Sequence, residues 1–474
     1  MTTATSAASG AETRAQFNLR YLFSISLVAA MGGLLFGYDW VVIGGAKPFF
    51  EKYFLLTSEA LSGWANSCAV VGCLIGSLTS GMLSDKYGRK RLLLAAAFLF
   101  AVSSVLTGWA GTFTWFVIWR IVGGVAIGLA SNLSPMYIAE VAPAHLRGRM
   151  VAINQLTIVL GVLGAQVANW MIAEQIPPNA TSEMIRESWN GQYGWRWMFT
   201  AVTLPSVAFF CGALWLPESP RWLVKSGQAV RARQFLVRIG GEAHAGAELR
   251  EIEASVASEH HQRVGLAEIF APNLRRVLLV GVILAVLQQW CGINVIFNYS
   301  EEIFRGAGYD VGSVLLNIVI TGVVLVLFTL VAIWKVDALG RRLLMLVGCA
   351  GICVFHTMIG AAYHFELKGL VVMIPVLAVI ACYSFSLAPI TWVLISEIFP
   401  NRVRGAAVSI AVSALWIACF VLIYTFPLLN SALGPAGTFW LYAAICGAGF
   451  GYIFFRVPET KGKSLEQIER ELSS

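Results

Sequence analysis

The sequence predicts an all-α membrane protein whose twelve transmembrane helices form two six-helix halves. Three observations carry that expectation. Of 474 residues, 58% are hydrophobic and 12% charged, against about 25% charged in ordinary soluble domains, and the mean hydropathy is +0.73. The apolar residues gather into stretches of roughly 20 residues, the length of a helix that crosses a bilayer, and none alternates like a barrel strand. Motifs of the first half also return in the second, about half a chain length later.

Spans are expected near 20–43, 61–83, 92–111, 114–138, 148–173 and 198–216, then 277–299, 313–335, 343–363, 370–396, 405–428 and 436–456. The chain divides into a polar N-terminus (1–19), a first six-helix half (20–216), a basic linker (217–276), a second half (277–457) and a tail (458–474). Helical spacing at Gln228 to Ile239 and Ala247 to Ser258 predicts short amphipathic linker helices.

Positive charge sets orientation. Lys86, Arg89, Lys90 and Arg91, then Arg147 and Arg149, Arg341 and Arg342, and Arg402 and Arg404 all fall on the linker side, while the 3/4 and 11/12 loops carry no charge. Both termini are therefore expected in the cytoplasm of a plasma or bacterial inner membrane protein. The net charge of +7 is explained by these clusters rather than by nucleic acid. No apolar core followed by a cleavage site precedes the first span, which predicts that this span is its own insertion signal. All nine cysteines fall in expected spans without a pairing pattern, so they read as buried packing residues rather than disulfides.

The repeats are specific. Asp85-Lys-Tyr-Gly88-Arg89-Lys90 returns as Asp337-Ala-Leu-Gly340-Arg341-Arg342, and Glu140-Val-Ala-Pro143 with Arg147 as Glu397-Ile-Phe-Pro400 with Arg404. Leu216-Pro217-Glu218-Ser-Pro, followed by Arg221, returns as Val457-Pro458-Glu459-Thr460. Each copy sets an acid near a base at a helix end, where charges of the right sign are favoured. Asp85, Arg89, Glu140, Arg147, Glu218, Arg221, Asp337, Arg341, Glu397 and Arg404 are expected to form a gate whose pairs break when the halves rock apart. The alternative is that the bases only fix topology, but acids contribute little to topology. Two parallel six-helix halves are a transporter pattern, with substrate held between them near the midplane.

These motifs resemble the sugar porter family of the major facilitator superfamily: Gly-Arg-Lys and Gly-Arg-Arg after the second and eighth spans, Pro-Glu-Ser-Pro-Arg (217–221) after the sixth, and Pro-Glu-Thr-Lys-Gly (458–462) after the twelfth. The resemblance covers residues 20 to 465, is nearest in pattern to the bacterial xylose:proton symporters, and implies the major facilitator fold with alternating access.

Within the spans, Asp39 in Gly37-Tyr38-Asp39-Trp40 and Arg120 in Trp119-Arg120-Ile121 are lone charges. A charge at mid-membrane costs at least about 2.5 kcal/mol on insertion scales, so each needs a partner or a function. The resemblance implies that they pair and that Asp39 takes up the proton. A permanent pair that merely stitches two helices is the alternative. Gln288, Gln289 and Asn294 place three amides on two helical turns, offering the donors and acceptors that sugar hydroxyls need. Interhelical hydrogen bonding is their alternative role. The resemblance implies that these three contact sugar, and adds Gln155, Phe36, Trp392 and Trp416.

Several positions depart from the family pattern: Asn298 replaces a tyrosine, Trp40 a small residue, and Val162, Leu325, Leu415, Cys419 and Ala388 replace polar or glycine positions. They leave the identity of the sugar open. The expected function is proton-coupled import of a pentose, hexose or polyol by a chain that works as a monomer among membrane lipids, with no cofactor and no metal. Facilitated uniport is the alternative. A non-transporting sensor is disfavoured by the short tail, and an enzyme by the absence of HExxH-like spacing, a phosphate-binding loop or a nucleophile elbow.

Overall fold

A computed structural model describes residues 17–177, 180–261, 272–309, 311–399 and 403–461. The first half comprises α1 (Leu19–Tyr53), α2 (Glu59–Tyr87), α3 (Arg89–Gly108), α4 (Phe113–Val141) and α5 (Arg147–Ile172), then the short α6 (Ser182–Glu187), and a sixth span built from α7 (Trp195–Thr200) and α8 (Thr203–Trp215). The linker holds α9 (Pro220–Lys225) and α10 (Ala229–His261). The second half comprises α11 (Pro272–Trp290), α12 (Ile293–Asn298), α13 (Ser300–Gly306), α14 (Val311–Leu339), α15 (Arg341–His364), α16 (Leu370–Phe385), α17 (Leu387–Glu397) and α18 (Arg404–Arg456).

Eleven helical stretches among the described residues are long and apolar enough to cross a membrane. The last spans 52 residues, about 78 Å at 1.5 Å per residue, and crosses twice. Gly434, at φ 69° and followed by Pro435, reverses the chain inside it. The eleventh and twelfth spans therefore meet without the loop that the sequence suggested. The linker likewise forms two helical segments, but within α10, broken at Gly241 with φ 77°.

Breaks occur where the backbone loses a hydrogen bond. Pro205 separates α7 from α8, because its ring nitrogen has no hydrogen to donate to the preceding turn. In the seventh span Gly292 is left-handed (φ 85°), dividing α11 from α12. The carbonyl of Cys291, freed by that break, lies 2.8 Å from Nε2 of the buried His356. In the tenth span Pro389 cannot donate to the carbonyl of Phe385, and the helix divides at Ser386.

Close helix packing brings α1 to the centre. A Cβ on Gly37 would collide with the Ile158 carbonyl of α5, and one on Gly161 of α5 with the Leu34 carbonyl of α1. Small residues at both points let the backbones approach. The two halves meet away from the linker: Gly63 of α2 abuts the Tyr424 carbonyl of α18, Trp64 packs edge-on to Phe420 at 6.2 Å, and Gln166 of α5 donates to Thr321 of α14 at 3.2 Å.

The first helix also exceeds its expected limit of residue 43, running to Tyr53. Lys47 lies in this extension, 2% exposed, and forms an ion pair with Glu302 of α13 while Glu51 lies 3.6 Å away. Its ammonium also sits 4.8 Å from the centre of the Tyr299 ring. Charge ends an apolar run in sequence, but here it is neutralised across the two halves and the helix continues.

Candidate functional site

Between the halves lies a cavity of about 790 Å³. Its lining includes Phe36, Gln155, Gln288, Gln289, Asn294, Trp392 and Trp416, so all seven residues expected to contact substrate line one space. The broken seventh and tenth spans supply four of the seven, Gln288 and Gln289 from α11, Asn294 from α12 and Trp392 from α17, while Trp416 comes from α18 and Phe36 and Gln155 come from the first half. The cavity extends to His145, Gly148, Arg149 and Arg341 and so opens on the linker face.

The amides form a relay. Asn294 Nδ2 donates to Gln289 Oε1 at 2.5 Å, and Gln289 Nε2 donates to Gln288 Oε1 at 3.0 Å. At the other end the indole Nε1 of Trp40 donates to Asn294 Oδ1 at 3.2 Å. Trp40 also completes an aromatic triangle with Phe36 and Trp416, with ring centres 5.9 to 6.2 Å apart. Sequence reasoning treated Trp40 as a departure and did not include it among the contact residues. Its place one turn from Phe36, on the same face of α1, was the available signal.

Asp39 and Arg120 meet as expected, with Arg120 NH1 donating to Asp39 Oδ1 at 3.0 Å. Both are almost wholly buried, at 4% and 3% exposure. Asp39 Oδ2 and Arg120 Nε have no hydrogen-bond partner among the described residues. The guanidinium carbon lies 5.4 Å from the centre of the Phe199 ring. The pair is thus shielded from water, joined by one hydrogen bond, and has a free carboxylate oxygen.

On the linker face the acids and bases close each half upon itself. Arg89 makes a two-pronged contact with Glu140, Nε to Oε2 and NH2 to Oε1 both at 3.0 Å, and reaches Asp85 at 3.2 Å. Ser219 donates to Glu140 at 2.5 Å, and Lys225 pairs with Asp85 at 2.9 Å. Glu218 Oε1 accepts from the backbone N–H groups of Arg89 and Lys90 at 2.9 and 3.2 Å, so it caps α3. Arg147 donates to the Ala139 carbonyl at 3.1 Å, and Arg221 stands in the first turn of α9.

The second half repeats the device. Glu459 accepts from the backbone N–H groups of Arg341 and Arg342 at 2.9 and 3.1 Å, capping α15. Arg341 lies 3.6 Å from Glu397, which accepts from Thr460 at 2.6 Å. The side chains of Asp337 and Arg404 lie outside the described residues. Gly88 and Gly340 precede the capped helices at φ 93° and 88°. A Cβ at either would press on the capping carboxylate, which accounts for glycine in both copies. Burial pushes the Glu459 carboxyl up, but the backbone donors of Lys461, Arg341, Arg342 and Thr460 outweigh it and hold it below its ordinary value.

The pairs described are intact while the cavity extends to their own face, and their partners belong to the same half, so in this arrangement they fasten helices within a half. Glu459 was missed as a participant, although its repeat relation to Glu218 pointed to it.

Comparison with known proteins agrees with this architecture. The model of the family described as "Sugar (and other) transporter" matches residues 25–472. The arabinose-proton symporter of Bacillus subtilis is 38% identical over 96% of this chain and 95% of its own length. The D-xylose-proton symporter of Escherichia coli K12 is 37% identical over 96% of each. Among solved structures, the inward-open xylose transporter XylE of E. coli aligns with TM-score 0.83 and 36% identity over 95% of this chain and 99% of that one. XylE bound to 6-bromo-6-deoxy-D-glucose aligns with TM-score 0.80 and 36% identity over 96% and 99%. With the family model and full-length relatives in agreement with a twelve-span, two-half architecture, the chain belongs to the sugar transporter family of the major facilitator superfamily.

Proposed function

We propose that this chain is a proton-coupled importer of a monosaccharide, in which Asp39 takes up the proton and the cavity between the halves holds the sugar. The observation that carries this reading is the Asp39–Arg120 pair, buried one residue from cavity-lining Trp40 and leaving Asp39 Oδ2 unbonded. A proton on that oxygen removes the carboxylate charge and weakens the hold of α1 on α4. Change in this pair then alters the cost of moving the two halves. The relatives named as arabinose- and xylose-proton symporters support the coupling and the substrate class.

The linker face is the cytoplasmic one by its positive charge, so the cavity is in its inward-facing arrangement, and both termini are cytoplasmic. The cavity and the buried pair are complete within one chain, which supports function as a monomer. Uptake in vesicles tests the reading. Asp39→Asn is expected to abolish accumulation driven by a proton gradient while retaining exchange of sugar across the membrane. Accumulation retained in that variant would remove Asp39 from the coupling step.

A further inference from the structure

We propose that Trp40 sets the hydrogen-bond polarity of the sugar site: acting through Asn294 and Gln289, it turns Gln288 so that this wall offers N–H donors and reads a sugar hydroxyl oxygen as an acceptor. This rests on the reading of the cavity as a monosaccharide site. It concerns which way the amides face, a property that their identity leaves open.

An amide can present either end, because its oxygen accepts and its nitrogen donates. An indole cannot, since its N–H only donates. Trp40 Nε1, at 3.2 Å from Asn294, therefore requires the Asn294 oxygen on its side. Asn294 Nδ2 is then left facing Gln289, where it meets Oε1 at 2.5 Å. Gln289 consequently turns Nε2 to Gln288, meeting Oε1 at 3.0 Å. Each step leaves the next side chain one orientation, and the relay ends on the amide nitrogen of Gln288, a cavity-lining residue. Reversing the relay would set donor against donor at Trp40.

A second donor supports the same sense. Trp416 Nε1 belongs to a cavity-lining side chain, is buried, and has no hydrogen-bond partner among the described residues. The indole of Trp40 is held in place by its ring contacts with Phe36 and Trp416 at 6.2 and 5.9 Å, so the relay has a fixed origin. Trp40 lies on α1 and Asn294 on α12, so this polarity is set across the two halves.

Fluorinated and deoxy sugars distinguish the senses, because a C–F group accepts weakly and cannot donate, whereas C–H does neither. D-Glucose, D-xylose and their monodeoxy and monofluoro analogues serve as competitors of tracer sugar binding to the intact protein in liposomes. At one ring position, loss of the hydroxyl is expected to weaken competition about fivefold and fluorine less than about twofold. In Trp40→Phe, which keeps a ring but removes the donor, the amides become free to turn and the difference between fluoro and deoxy at that position should vanish. Asn294→Asp, which keeps the acceptor for Trp40 but removes the donor to Gln289, should have the same effect and serves if Trp40→Phe does not fold.

Fluorine as damaging as hydrogen at every sensitive position of the wild type overturns the proposal. So does an unchanged analogue pattern in the folded variants while Gln288→Ala weakens binding, a result that leaves the sugar site standing. Sugar binding untouched by Gln288→Ala, or no competition by either sugar series, overturns the site reading and the proposal together.

Discussion

Lys47 on α1 and Glu302 on α13 form an ion pair that joins the two halves on the face opposite the linker. Lys47 is buried whereas the Glu302 side chain is 33% exposed, so the link is only partly withdrawn from solvent. Glu302→Gln leaves Lys47 with Glu51, at 3.6 Å, as its remaining ion-pair contact among the described residues. The halves should then part more readily on that face, by about 1 kcal/mol or roughly fivefold in population. Spin labels placed across the outer ends of α1 and α13 would report this as a larger long-distance fraction; an unchanged distribution would assign the pair no role in closure.

The Asp39–Arg120 pair makes a separate prediction about stability. Arg120→Met leaves a carboxylate buried without its counter-charge, at a cost of about 3–5 kcal/mol. Adding Asp39→Asn should restore most of that loss, since the double variant buries no net charge. Thermal melting of the single and double variants in detergent forms the cycle that measures this coupling, and additive losses would show that the two charges do not depend on each other.

Gln288→Ala removes one donor from the sugar site. A single hydrogen bond contributes about 0.5–1.5 kcal/mol, so affinity should fall between about twofold and twelvefold without altered membrane insertion. Gln155→Ala, on the opposite wall of the cavity, should weaken binding by a similar factor. Titration calorimetry with a pentose and a hexose checks both variants.

Glu459 gives a pH dependence with a definite sign. Its carboxyl is held below the ordinary glutamate value of 4.5, so its contribution to stability is fully present above about that pH and disappears as pH falls through the lower folded-state value. Glu459→Ala should cost about 0.5–2 kcal/mol at neutral pH, as expected for a lost helix cap. The difference in melting temperature between wild type and variant should then shrink below pH 4.5. A difference that persists undiminished at low pH would separate the stabilisation from ionised Glu459.

The spans were legible because each is a sustained apolar run, and the repeat was legible because acids recur beside bases at matching places. Asp39 and Arg120 stood out for a similar reason, being charges without local company. Other features depend on partners far away in sequence. Lys47 reads as the end of an apolar stretch until Glu302, 255 residues later, is set beside it. Trp40 reads as a misplaced bulky residue until Asn294, 254 residues later, receives its N–H. The closure of each half on itself was illegible for the opposite reason: charge patterns show that partners exist but not on which side of an interface they lie. Gly434 reverses the chain through one backbone conformation, so the break between the last two spans is legible in sequence but the helical course of the residues beside it is not.

The placing of Glu218 and Glu459 bears on how the protein is made. Each follows the sixth span of its half and ties back to the start of that half's third span. In a chain synthesised from its N-terminus, each carboxylate emerges only after the helices it fastens, and domains generally fold as units in that order. Glu218 thus becomes available to seal the first bundle before the second has left the ribosome. The nascent protein can mature as two successive closures, each completed by a residue near the end of its own segment.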